Sequence, residues 1–175
     1  ALAADHQNIA VEQLDVTDFV QIDTLAAKYN DQPVDVLLNN AGLSGSPSPQ
    51  QLFQRLDYSL FDAFMHTNAL GPLKMSEAFL PNIQAGQLKR IVTVTSLGGS
   101  FSAPPNSLRG TMLYRTSKAA LNMLMVNVAD AVKKYAITVV LLNPGLVDTQ
   151  GMLTEMNAKM QMGLNLIPIE QSIAG

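Results

Sequence analysis

Three short runs of aliphatic and β-branched residues, separated by long helical patterns, restrict this chain to one class of fold. The runs span 34–39 (Val-Asp-Val-Leu-Leu-Asn), 90–95 (Arg-Ile-Val-Thr-Val-Thr) and 138–143 (Thr-Val-Val-Leu-Leu-Asn). Each is bounded by turn-forming residues and lacks the strict alternation of a half-wet sheet, so each reads as a strand buried on both faces. A weaker run over 9–14 is expected to be a further strand. Between them, 18–29 places Phe19, Ile22, Leu25, Ala26 and Tyr29 on one helical stripe. Residues 60–80 and 111–135 predict a second and a third helix, and the Met-rich stretch 149–163 a short fourth. Strands alternating with helices require parallel pairing through crossovers, which predicts an α/β fold with a doubly wound parallel sheet. A chain of 175 residues suits one domain, 1–175.

Composition removes several functions. There is no cysteine, hence no disulfide, thiolate zinc site or cysteine nucleophile. His6 and His66 lie far apart in unlike contexts, and no metal site is expected. The net charge of -3 is spread along the chain without a Lys/Arg block, so neither nucleic acid nor a membrane surface is an expected partner. The most apolar run, 121–132, is interrupted by Asn122, Asn127 and Asp130 and is too short to span a bilayer. With no signal peptide in view, a cytoplasmic protein is expected. The chain starts without Met inside a helix-like pattern and stops inside another, so both ends are expected to be cut.

The third helix is apolar nearly all round. Ala119, Met123 and Val126 are expected to face the sheet, while Leu121, Met125, Val128 and Val132 point elsewhere. A helix of this kind needs cover on two sides, and a homo-oligomer contact through 111–135 is the expected second cover.

In an open parallel sheet, ligands bind beyond the C-terminal strand ends. The polar and glycine residues of this chain collect there: Asp15, Val16 and Asp18 after the weak strand, Asn40, Ala41 and Gly42 after the first strong one, Ser96 after the second, and Pro144 and Gly145 after the third. Each has a plain structural reading. Asn and Gly end strands by tolerating left-handed turns, Asp18 caps the next helix, and Pro-Gly makes a turn.

Tyr114 and Lys118 form a sharper pair, since residues four apart on a helix stack on one face. A free phenol is a poor proton acceptor near neutral pH, and a neighbouring ammonium favours its ionised form. Such a tyrosine can give a proton to a carbonyl oxygen or take one from an alcohol. The plain alternative is an amphipathic tyrosine beside a solvated lysine. Ser96 could hold a substrate oxygen against the phenol, or merely satisfy its own turn. Asn68, mid-helix in Asn-Ala-Leu-Gly, could bend the helix and hold a water, or be a satisfied core amide.

Taken in order, Asp15, Asn39-Asn40-Ala41-Gly42, Asn68-x-x-Gly71, Ser96, Tyr114-x-x-x-Lys118 and Pro144-Gly145 resemble the short-chain dehydrogenase/reductase family over nearly the whole chain. The resemblance implies a Rossmann-like oxidoreductase that moves a hydride between NADP or NAD and a small carbonyl or alcohol substrate. It implies Tyr114 as general acid/base, Lys118 as its activator and a ligand of the nicotinamide ribose, Ser96 as substrate orienter, and Asn68 as anchor of a relay water. Asp15 and Val16 are implied at the adenine. Asn40, Ala41 and Gly42 are implied along the cofactor channel, and Pro144, Gly145, Val147 and Thr149 at the nicotinamide.

Three departures accompany the resemblance. No G-x-x-x-G-x-G precedes Asp15, so the pyrophosphate-cradling turn of the family is absent from these residues. The family's last strand is not seen before Gly175. The stretch from Ser96 to Tyr114 is longer than usual, with an insertion over 103–109 in the substrate-loop region. A fragment of this kind is expected to be inactive alone. Alternative readings are a non-catalytic NAD(P)-binding relative and a nucleotide-sugar epimerase or dehydratase on the same fold.

Overall fold

The computed structural model describes residues 6–43, 48–103, 110–147, 154 and 166–174. Three strands, β1 (Val36–Asn39), β2 (Arg90–Val94) and β3 (Thr138–Leu142), pair in parallel in the order β1-β2-β3. The register sets Leu37, Ile91 and Val139 side by side. That row packs into a core with Phe79, Ile83, Val132 and Ile137. On the alternate face Val36 and Leu38 are exposed, so β1 is covered on one face and not on both as its composition predicts. The result is the expected α/β, Rossmann-like arrangement of a parallel sheet with crossover helices.

Helix α1 (Phe19–Lys28) starts where the Asp18 carboxylate accepts from the Val20 and Gln21 amides. Asp18 is thus a cap, supplying acceptors to N–H groups that have none within the helix. Ile22 is fully buried, and Leu25, Ala26 and Tyr29 join the core. Phe19 instead lies at the surface, against the His66 ring.

The helix expected over 60–80 is continuous but not uniform. After a 3-10 turn at Tyr58–Leu60 come α2 (Phe61–Met65), a π-turn at His66–Leu70, and α3 (Gly71–Ala78). Pro72 has no N–H to give the Asn68 carbonyl four residues back. The helix widens there, and the Gly71 amide reaches back to the His66 carbonyl. A short α4 (Leu80–Ala85) leads to β2. The long α5 (Met112–Val132) precedes β3, and α6 (Ile169–Ala174) follows it.

Two further expectations are corrected. Residues 9–14 form no ladder, because among the described residues no strand lies beside them to take their N–H and C=O groups. The segment is moored to α1 by side chains: Glu12 accepts from Lys28 Nζ at 2.6 Å and from the Tyr29 hydroxyl at 2.9 Å. The phase of α5 is also opposite to that expected. Leu121, Met125 and Val132 are buried and Val128 packs against them, whereas Met123 and Val126 are 60% and 56% exposed. An apolar stripe on every side cannot set its own phase, and buried polar contacts of Ser117 and Lys118 turn their side of α5 inward.

Apart from Thr154, the helix expected over 149–163 lies outside the described residues, as does most of the 103–109 insertion. No described helix is long and apolar enough to cross a membrane.

Candidate active site

The register that aligns Asn39, Thr93 and Leu141 brings the loops 40–42, 95–99 and 143–145 out at one edge of the sheet. Asn39 itself, the last residue of β1, is buried and structural. Its amide donates to Ser76 Oγ (3.2 Å) and Thr93 Oγ1 (3.3 Å), tying β1 to α3 and β2. Asn40, Ala41 and Gly42 are exposed.

The loop carrying Gly42 lies across two candidate residues. A Cβ at Gly42 would stand 3.2 Å from Asn68 Oδ1 and 3.7 Å from Lys118 Nζ. Asn68, wholly buried in the π-turn, accepts from the Leu43 amide at 2.7 Å and donates to Ser117 Oγ at 2.9 Å. Its side chain is therefore a satisfied core amide and a connector between the 40–43 loop and α5. Ser117 passes the connection on, donating to the Tyr114 carbonyl at 2.8 Å.

Tyr114 stands half-buried in the first turn of α5. Its amide, one of those that lack an acceptor within the helix, donates to Gln51 Oε1 at 3.1 Å. Lys118, one turn on, is only 5% exposed, and its ammonium donates to the Val94 carbonyl at 2.9 Å. Burial disfavours its charge and holds its pKa below the usual lysine value.

Ser96 is half-buried and opens a 3-10 turn (Leu97–Gly99), its Oγ accepting from the Gly98 amide at 3.1 Å. The turn engages the oxygen as acceptor and leaves the hydroxyl proton to donate elsewhere. The same turn rests on α5: Arg115 Nε donates to the Gly98 carbonyl at 3.2 Å, and a Cβ at Gly99 would fall 2.8 Å from the Lys118 carbonyl carbon and oxygen. Glycine is required there for backbone to approach backbone.

The remaining candidates fall around this group. Val16 packs its backbone on Gly71, where a Cβ would meet the Val16 oxygen at 2.9 Å, so the glycine three residues after Asn68 admits the Asp15-Val16 loop. The Asp15 carboxylate accepts from the Thr17 amide and hydroxyl, and these two bonds hold its pKa below the usual value. Gly145 adopts a left-handed conformation with φ of +80°. The Pro144 carbonyl accepts from Ser172 Oγ, and Val147 bridges to Ile167. Thr149 lies outside the described residues. Among the described residues no group of three His, Asp or Glu side chains could hold a metal ion.

Thus the Gly42 backbone lies where an added Cβ would meet both Asn68 and Lys118, and the Ser96 turn packs on the helix that carries Tyr114. Gln51, Ser117 and Asn122 also support this group although residue order did not mark them as site residues, and Thr95 and Gly99 of the loop after β2 support it as well. One signal was available: Asn122 follows Tyr114 and Lys118 at helical spacing, on the same face.

The family model described as short chain dehydrogenase matches residues 1–161.

The chain belongs to the short-chain dehydrogenase family.

This is a family of NAD(P)-dependent oxidoreductases with a Rossmann-like fold. The "C-signal" of Myxococcus xanthus is 42% identical over 117 residues, covering 67% of this chain and 68% of the relative. The "Short-chain dehydrogenase/reductase atnB" of Arthrinium sp is 34% identical over 160 residues, covering 86% of this chain and 60% of that protein. A solved NADPH-bound carbonyl reductase from chicken fatty liver superposes with a TM-score of 0.80 at 26% identity. That alignment covers 99% of this chain and 67% of the reductase. The chain therefore spans between 60% and 68% of the length of these three proteins.

Proposed function

We propose that the whole protein is an NADP- or NAD-dependent carbonyl reductase or alcohol dehydrogenase acting on a small molecule. The observation that carries this reading is the convergence of the Gly42 loop on Asn68 and the buried Lys118 ammonium, with the Ser96 turn packed on the Tyr114 helix. The bare Gly42 backbone, next to the buried Lys118 ammonium, fits the ribose and nicotinamide half of such a cofactor. NADPH in the chicken reductase supports NADP as the cofactor. When bound, the cofactor supplies or takes the hydride.

The chain's own residues move the proton. Tyr114 gives its phenolic proton to the carbonyl oxygen in reduction and takes it back in oxidation. Lys118, one turn away on the same helix, contributes its buried ammonium to the site and would hold the nicotinamide ribose. Ser96, its oxygen held by the Gly98 amide, donates its hydroxyl proton to the substrate oxygen. Asn68 anchors a relay water; Pro72 cannot occupy its carbonyl as an α-helical donor would. Asn40, Ala41 and Gly42 line the cofactor channel, Pro144, Gly145, Val147 and Thr149 hold the nicotinamide, and Asp15 and Val16 lie at the adenine.

Turnover of a panel of ketones and aldehydes with NADPH and NADH tests this reading. Tyr114→Phe should abolish reduction while leaving cofactor binding intact, and a fully active Tyr114→Phe protein would overturn it.

A second reading is favoured by the likeness to C-signal, whose name is that of a signal and not of an enzyme. On it, the protein binds NAD(P) without turnover, and the panel would show binding but no reduction by wild type.

We also assign the exposed α5 residues Met112, Met123 and Val126 to a contact with a second copy of the chain. Sedimentation of a Met123→Lys, Val126→Lys variant should show a smaller species than wild type.

A further inference from the structure

Asn122 lies at the third position of a helical row, Tyr114, Lys118, Asn122, and none of the roles above uses it. On an α-helix these residues share one face and span about 12 Å. The side chain of Asn122 holds the Ser96 turn at both ends. Its Oδ1 accepts from Thr95 Oγ1 at 2.5 Å, immediately before Ser96. Its Nδ2 donates to the Gly99 carbonyl at 3.3 Å, the last residue of the same turn.

Other bonds stiffen the arrangement. The Thr95 amide donates to the Leu142 carbonyl at 2.8 Å, so the residue before Ser96 is fixed to β3 as well as to α5. Inside the turn, the Gly99 amide donates to the Ser96 carbonyl at 3.0 Å. At Gly99 the absent Cβ leaves room for the helix backbone, and a Cβ there would stand 2.9 Å from Asn122 Nδ2. The turn therefore has little freedom to slide along α5 or lift from it.

We infer that Asn122 is a positioning residue that clamps the Ser96 turn to α5 and so sets the placement of the Ser96 hydroxyl relative to Tyr114. One rigid helix then carries the proposed acid, its cation and the clamp on the substrate-orienting hydroxyl. The inference rests on the proposed function and deepens it. Its effect should appear in kcat, because small displacements of a positioning group cost rate.

The test uses the full-length protein in two backgrounds. Asn122→Ala should lower kcat about tenfold with the cofactor KM unchanged. In a Ser96→Ala background the same change should cost less than about twofold, since Asn122 acts through Ser96. Asn122→Asp keeps the acceptor for Thr95 but loses the donor to Gly99, and should fall between. Hydrogen exchange at the Gly98 and Gly99 amides should quicken in Asn122→Ala while that at Ile91 stays unchanged.

Equal losses in both backgrounds, or unchanged exchange at Gly98 and Gly99, would overturn the inference. An inactive Tyr114→Phe beside a fully active Asn122→Ala would overturn it while leaving the proposed function standing. A fully active Tyr114→Phe would remove the proposed function instead, and exchange at Gly98 and Gly99 would still decide whether the clamp exists.

Discussion

The Asn68 amide donates to Ser117 Oγ across 2.9 Å in a site closed to solvent, joining the π-turn to α5 at the point where Ser117 holds the Tyr114 carbonyl. The two residues are 49 positions apart. A buried bond of this kind weighs more when broken than when made, because the partner left behind loses both water and protein.

Asn68→Ala should therefore destabilise the protein by about 2 kcal/mol, since it strands the Leu43 amide and removes the donor to Ser117. Ser117→Ala should cost only ~1 kcal/mol, because it removes a neutral pair. Its amide partner keeps the longer bond from Asn68 to the Leu43 carbonyl, 3.4 Å. Urea midpoints at constant m-value check both, and an equal cost for the two would contradict the assignment.

Gly99→Ala should be worse tolerated than Gly42→Ala. At Gly99 the new Cβ meets helix backbone at 2.8 Å, which cannot rotate away. A loss of roughly 1–3 kcal/mol is expected there, as for other forced overpacking. At Gly42 the nearest atoms are side-chain termini, Asn68 Oδ1 at 3.2 Å and Lys118 Nζ at 3.7 Å, which can give way. Thermal unfolding of the two variants should rank them in that order.

Lys118 gives a pH signature. Burial holds its folded pKa below 10.5. Between that lowered value and 10.5 the unfolded chain binds a proton that the folded chain does not, so stability rises with pH across this window. Below the window the full cost of burying the charge is present. The difference in urea midpoint between wild type and Lys118→Met should thus move in favour of wild type as pH climbs toward 10.5, and a flat difference would contradict it.

Glu12 acts at the acid end. Its pKa lies below 4.5, held there first by the bond from Lys28 and then by that from Tyr29. The tether of residues 9–14 to α1 is therefore complete above 4.5 and is lost as pH falls through the lowered value. Titration of the Glu12 carboxyl by carbon NMR should show a midpoint below 4.5 that rises in Lys28→Met. An unmoved midpoint would place the cause elsewhere.

Much of the architecture is local and was legible in residue order. β-Branched runs form β1, β2 and β3 wherever they pair, the stripe from Ile22 to Tyr29 makes an amphipathic helix in any setting, and Asp18 caps it through amides two and three residues away. The motifs from Asn40 to Lys118 carried the family in the same way, because their spacing survives without coordinates.

Other features depended on partners the chain order does not name. Residues 9–14 have a strand's pattern, but a strand exists only where another offers its ladder. Helix α5 is apolar all round, so its phase awaited the burial of Ser117 and Lys118. Asn122 looked like an interruption of an apolar run until folding set Thr95 and Gly99 around it, 27 and 23 positions away. Gln51 became the acceptor for Tyr114 across 63 positions. Sequence by itself determined where β1, β2, β3 and the long helices lie and which family the chain belongs to, because propensity, periodicity and motif spacing act within a few residues. Tertiary structure alone decided how Ser96, Tyr114 and Lys118 are held, because hydrogen bonds between distant residues depend on distances that only packing sets.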